Sequence, residues 1–125
     1  MHNFGFEIPF RLPSLNEYID KCRNNRYGGA KHKKDIEREI LRVLPKCQID
    51  CPVKLKFVWH EQTRRRDPDN VCGGGRKYIL DSMQKSGMIP NDNTRYVLGF
   101  EDEFVYGQGD KVKVMVKTGG NDVSK

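Results

Sequence analysis

The chain has no long apolar run. Nothing in it approaches the ~20 consecutive apolar residues needed to span a bilayer, so no membrane role is expected. The opening MHNFGFEIPF lacks the basic head and small-residue cleavage site of a secretory signal, which predicts a cytoplasmic address. Internal repeats, low-complexity tracts and interdomain linkers are also missing. Only the stretch after Lys117, TGGNDVSK, reads as disordered, so residues 1–117 are expected to form one domain and 118–125 a tail. Metal-binding sulfur and imidazole are sparse, with four cysteines and three histidines. Cys47 and Cys51 are the only close pair, no second pair stands at zinc-ligand spacing, and His60 is isolated on an alternating strand. Zinc is disfavoured on that pattern, and Cys22, Cys47, Cys51 and Cys72 are expected as reduced thiols.

What is present fits one globular domain. A length of 125 residues supports one hydrophobic core, and 36% hydrophobic with 32% charged residues lies in the globular range. Lys and Arg number 23 against 17 Asp and Glu, a net charge of +6 that favours an anionic partner. The distribution is uneven. KCRNNRYGGAKHKK holds six basic residues, Lys21, Arg23, Arg26, Lys31, Lys33 and Lys34, and no acid. Such a segment is either a phosphate-binding surface or a solvated helix end and loop, and composition does not separate the two.

Hydrophobic periodicity outlines the elements. FGFEIPF alternates weakly and suits a first strand, closed by Pro9 and Pro13. Ser14 and Glu17 form a capping box before Leu15, Tyr18, Ile19 and Cys22, which predicts a helix ending near Asn25. After a break at Gly28-Gly29, Ile36, Ile40, Leu41 and Leu44 predict a second helix over 30–44, stopped by Pro45. VKLKFVWH is a half-buried strand leading into RRRDPDN. GGGRKYILDSMQKSG reads as a loop and then a helix over 76–86, with Gly87 just past its end. TRYVLGFEDEF and DKVKVMVK are two further strands, expected to pair as an antiparallel hairpin through Gly107 and Gly109. The order β-α-α-β-α-β-β predicts an α+β domain, a mixed sheet with helices packed on one face.

The chemistry concentrates in RRRDPDN, residues 64–70. Pro68 separates Asp67 from Asp69, and an extended backbone there would aim both carboxylates the same way. Two adjacent carboxylates repel unless a cation lies between them. Magnesium takes one or two carboxylates plus water and phosphate oxygens, and Asp92, in PNDNT, is the best candidate for a third acid. An Asx-turn with helix capping is the bland account of DPDN. An EF-hand fits poorly, because Val71 and Cys72 occupy places where that loop wants a ligand and a glycine. Arg64, Arg65 and Arg66 can bind phosphate, and Asn70 can orient a carboxylate or water. Lys77 and Asp81, four apart, are either a helical surface ion pair or a functional pair facing the loop.

RRRDPDN, then RKYILDSMQKSGMIPNDN, then YV, resembles the signature of the RusA family of Holliday junction resolvases. The opening LPSLNEYIDKCRNNRYGGAKHKK resembles the N-terminal part of its Gram-positive and phage members, so the likeness runs from about Pro9 to Val97. It implies a homodimeric, magnesium-dependent endonuclease, with Mn²⁺ able to replace Mg²⁺ and no small-molecule cofactor, that nicks four-way DNA junctions symmetrically in recombination or repair. On this resemblance Asp67, Asp69 and Asp92 bind metal and Lys77 is the active-site lysine. Arg64, Arg65, Arg66, Lys21, Arg23, Arg26, Lys31, Lys33 and Lys34 would hold flanking DNA, with Asn70 and Asp81 in support. Gly73-Gly74-Gly75 lengthens the interval from Asp69 to Lys77 relative to the best-known form, so Lys77 is anchored on YILD; Asn91 stands where many members have a second aspartate. The competing expectations are a non-catalytic nucleic-acid-binding protein whose aspartates only shape a loop, and a small metal-dependent nucleotide phosphohydrolase.

Overall fold

A computed structural model describes residues 3–24, 26–90 and 96–118, with the side chains of 4–23, 28–90 and 96–118 among them. The elements are β1 (Asn3–Ile8), α1 (Leu15–Asn24), α2 (Arg26–Val43), β2 (Val53–Glu61), α3 (Pro68–Lys85), β3 (Val97–Tyr106) and β4 (Lys111–Thr118). This is the expected α+β order, with one mixed four-stranded sheet ordered β1-β4-β2-β3. Alternation on β2 and β4 places Leu55, Phe57 and Trp59 opposite Val116, Val114 and Val112, all buried against Ile40, Ile79 and Met83 of the helices. Among the described residues no helix is long and apolar enough to cross a membrane. All four cysteines are free thiols.

The capping box forms as its spacing predicts. The Glu17 N–H donates to Ser14 Oγ and the Ser14 N–H donates to Glu17 Oε1, each at 3.2 Å. Gly87 sits at φ +82°, just past the end of α3, and the Met88 N–H returns to the Met83 carbonyl at 3.0 Å.

The expected β3–β4 hairpin does not form. β2 lies between the two strands, pairing in parallel with β3 and antiparallel with β4. Residues 107–110 step past the end of β2, with Gly107 and Gly109 at φ +83° and +87° and the Gly107 N–H bonded to the Glu61 carbonyl at 2.9 Å. The apolar row of β4 explains the choice. Val112, Val114 and Val116 are buried and need neighbours on both sides, whereas Glu101 and Glu103 of β3 suit a sheet edge.

Two glycine clusters predicted as breaks are helical. Gly28 and Gly29 lie inside α2, and a Cβ on Gly29 would stand 2.8 Å from Cys22 Sγ, so the glycine lets α2 touch α1. Gly73, Gly74 and Gly75 lie inside α3, which starts eight residues before the predicted 76. A Cβ on Gly74 would fall 2.5 Å from Leu15 N, and one on Gly75 would fall 2.5 Å from the Trp59 ring. Gly29, Gly74 and Gly75 are there for close approach, and the helical content follows from packing rather than propensity. The β4 strand also extends one residue into the predicted tail, to Thr118.

Candidate active site at the start of α3

β2 ends at Glu61 level with Tyr106 at the end of β3, and the chain then crosses a short loop into α3. In sheets with parallel pairs, the C-terminal strand ends and the following helix N-terminus form a natural ligand crevice. The sequence expects an extended DPD segment, but the structure has Asp67 at the N-cap, Pro68 at N1 and Asp69 in the first turn. Proline fits there because its missing N–H would have no partner within the helix. Asp67 occupies the capping position without a side-chain cap bond, and Asp69 Oδ1 accepts the Asn70 N–H at 3.1 Å. Both carboxylates are exposed, and among the described residues neither has an ion-pair partner.

Because the three glycines are helical, Asn70, Lys77 and Asp81 fall at i, i+7 and i+11 on one face of α3. Lys77 lies eight residues beyond Asp69, a rise of about 12 Å along the axis. Its ammonium is 3.8 Å from Asp81 Oδ2, so the pair named in the sequence does meet.

The three arginines separate. Arg64 stacks over the Tyr106 ring at 4.0 Å, and Arg65 is exposed with no side-chain partner among the described residues. Arg66 turns inward. Its Nε and Nη2 donate to Glu61 at 2.7 and 2.6 Å, and its Nη1 donates to the Leu12 carbonyl at 2.8 Å and to Glu17 Oε1 at 3.1 Å. Four of the five N–H donors of that guanidinium are engaged within the fold, so in this arrangement Arg66 serves the loop before it serves a phosphate. Burial opposes its charge, but Glu61 and Glu17 outweigh that and hold its pKa above the ordinary value. Arg66 therefore anchors the loop that delivers Asp67, helped by the Gln62 N–H on Asp110 at 2.8 Å. A polar cavity of about 350 Å³ opens beside it between Arg11, Arg65 and Asp110. A cavity of about 430 Å³ near Phe4 and Cys51 lies towards the opposite end of β2 and involves none of the predicted site residues.

Glu17 joins capping box and loop anchor. Burial alone would raise its pKa, but hydrogen bonds from Arg11 and the Ser14 N–H, with help from Arg66, lower it from 4.5 to about 2. Its ionised form is thus favoured by folding, a contribution fully present above about 4.5 and lost as pH falls towards 2. Solvent screens the half-exposed carboxylate, so the effect is shallow. In thermal melts between pH 5 and 2, Glu17→Gln is expected to lose less stability over this window than the wild-type chain; an identical fall would remove Glu17 as a contributor.

The basic segment also divides. Lys21, Arg23, Lys31 and Lys34 are exposed, whereas Lys33 is 23% exposed and its ammonium is 2.6 Å from Asp81, so it is not a free DNA-facing charge in this arrangement. The Arg26 side chain, Asn91 and Asp92 lie outside the described residues. Among the described residues no group of three or more His, Cys, Asp or Glu side chains could hold a metal ion. Asp67 and Asp69 supply two carboxylates that no cation pairs with among the described residues, which suits magnesium's preference for few carboxylates and retained water.

Several residues of this region were not singled out from the sequence. Asp102 of β3 accepts from Trp59 Nε1 at 2.9 Å and from Arg76, whose guanidinium also covers Phe100 at 4.5 Å. Cys72 lies beside them, and burial followed by the Asp102 charge pushes its thiol up to about 11, so it stays protonated at neutral pH. Glu61 and Tyr106 belong here as well. Their only signal was position: an acid and an aromatic ring at the ends of two strands, visible as neighbours once the parallel pairing is known.

No protein-family model matches the chain, and no curated protein matches it in sequence.

Proposed function

We propose that this protein is a magnesium-dependent endodeoxyribonuclease that resolves four-way or otherwise branched DNA by paired nicks, as the RusA resemblance implies. The observation that carries the reading is the pair Asp67 and Asp69. Both are exposed at a helix start beside a parallel strand pair, lack ion-pair partners among the described residues, and are delivered by a loop that four hydrogen bonds from Arg66 hold in place. A structural capping role would use the Asp67 carboxylate, and that carboxylate does not cap.

In this reading Asp67 and Asp69, with Asp92, hold Mg²⁺ or Mn²⁺. When bound, the ion activates water and neutralises charge on the scissile phosphate. Asn70 orients a carboxylate or water, and Lys77 offers an ammonium to the negative charge that develops on phosphate or leaving oxygen. Arg64 and Arg65, with Lys21, Arg23, Lys31 and Lys34, hold the backbone on either side. Symmetric cutting of a two-fold junction calls for a homodimer with an isologous interface.

The test is a magnesium titration on end-labelled four-way, forked and linear DNA. Paired nicks in the four-way substrate, dependent on magnesium, are expected. Binding without nicking at any magnesium concentration would favour the non-catalytic binding protein, and hydrolysis of free nucleotides without DNA cutting would favour the phosphohydrolase.

A further inference from the structure

Between α2 and α3 runs a chain of alternating charges. Asp81 Oδ2 lies 2.6 Å from Lys33 Nζ and 3.8 Å from Lys77 Nζ, so two ammonium groups address one oxygen. Lys33 is also 3.5 Å from Oε2 of Glu37, which is buried at 2% exposure, and Lys85 pairs with the other Glu37 oxygen. Asp81 is 24% exposed and Lys77 50%, so the tighter contact is the more buried one. Burial opposes the Lys33 charge, but Asp81 and Glu37 outweigh it and raise its pKa. Tyr78, neighbour of Lys77, packs edge-on to Tyr18 with ring centroids 5.9 Å apart, which fixes the α3 backbone under this cluster.

Lys77 precedes Asp81 by one turn, the weaker order for a helical ion pair, and it is the outer partner of an oxygen already engaged. Reaching Asp81 directs the ammonium towards the C-terminal end of α3, away from Asp67 and Asp69 at the other end. A lysine held there is misdirected for the role proposed above.

We propose that Lys33 is a positioning residue: by holding Asp81 at 2.6 Å from the neighbouring helix, it leaves Lys77 only the looser 3.8 Å contact with that carboxylate and so eases release of the Lys77 ammonium to DNA phosphate. Its consequence for cutting rests on the nuclease reading; its geometry does not. Lys33 thus acts through Asp81, and the basic segment contributes to the site from the inside as well as through its exposed charges.

The experiment measures Lys77 directly. The full chain is treated with an amine-acetylating reagent at fixed pH, and the rate at Lys77 is read by mass spectrometry, in parallel with single-turnover nicking of a four-way junction. Lys33→Met is expected to slow acetylation of Lys77 roughly threefold, because Asp81 then pairs with it alone, and to slow nicking. Lys33→Arg, which keeps the cation, is expected to match the wild type. Adding Asp81→Asn to Lys33→Met removes the competing carboxylate and is expected to restore both rates, which simple loss of packing would not do. Thermal melts check folding, and Lys33→Gln serves with the same expectations if the methionine variant is unstable. An unchanged Lys77 acetylation rate on loss of the cation, or no recovery in the double variant, overturns the proposal. If acetylation follows the expected pattern while the wild-type protein cuts no DNA in magnesium, the clamp stands and the nuclease reading falls.

Discussion

Asp69→Asn is expected to abolish most junction cutting while sparing junction binding. The change keeps the side chain's size but removes a formal negative charge, so a magnesium ion shared with Asp67 is held more weakly. The loss in nicking rate should be on the order of 10²–10³-fold, the scale seen when one group stabilising a transition state is removed. Binding should hold or tighten, because the lost carboxylate no longer repels the DNA backbone. Asp67→Asn should behave alike, and so should Asp92→Asn; any two together should cost little more than one, since groups acting as a unit give non-additive losses. Stability separates this from a merely structural role. Asp67 makes no side-chain cap bond, so Asp67→Asn should lose no hydrogen bond and, like Asp69→Asn, only the favourable placement of an anion at a helix start, about 0.3–1 kcal/mol. Rates of nicking across a magnesium titration, paired with binding measured in EDTA, decide the matter. A variant that cuts at the wild-type rate with the wild-type magnesium dependence would sink the assignment.

The second large effect concerns stability. Alanine normally favours a helix over glycine by about 1 kcal/mol, so Gly→Ala inside α3 would ordinarily stabilise the protein. At Gly74 the sign should reverse. Its added Cβ would stand 2.5 Å from both Leu15 N and Ser14 C and 2.6 Å from Pro13 O, all backbone atoms that cannot swing aside. α3 would have to move off the segment that carries the capping box of α1 and the Leu12 carbonyl bound by Arg66. Net destabilisation of about 2 kcal/mol or more is expected for Gly74→Ala, within the range for overpacked interiors. Gly73→Ala is the control, since its nearest neighbour would be Leu15 Cδ2 at an ordinary 3.5 Å. That variant should be neutral or slightly stabilised. Denaturant melts giving the two variants equal midpoints would refute the close-packing account of the triple glycine.

The contrast between those glycines also shows where the sequence was legible. Strands and helices with a regular apolar period, such as VKLKFVWH and the stretch around Ile36 and Ile40, could be read directly because period reports which face meets the core. The capping box could be read because both of its partners lie within one turn. Gly73–Gly75 suit a loop on sequence because glycine has two uses, backbone freedom and absence of a Cβ, and only the position of Trp59 and residues 13–15 shows which applies. The β3–β4 hairpin failed for a related reason. Two glycines in a short connection suit a tight turn, but partner choice was set by β2, whose apolar row is matched by the valines of β4. Within the site, Asp67, Asp69 and Lys77 were visible as residue types at informative spacing. The inward turn of Arg66 was not, because its partners Glu61, Leu12 and Glu17 come from three separate elements or loops.

The strand order bears on how the chain is made. β4, fourth in sequence, occupies a place inside the sheet between β1 and β2. At the usual ~5–20 residues per second of synthesis, β1 and β2 leave the ribosome seconds before the strand that must separate and bridge them. During that interval the nascent chain can assemble the helices and, once β3 has emerged, the β2–α3–β3 unit. The facing edges of β1 and β2 remain unpaired until residues 111–118 are free. Sheet closure is therefore a late event during biogenesis, and the exposed edges in that window are where a chaperone or a neighbouring nascent chain would find the protein most adhesive.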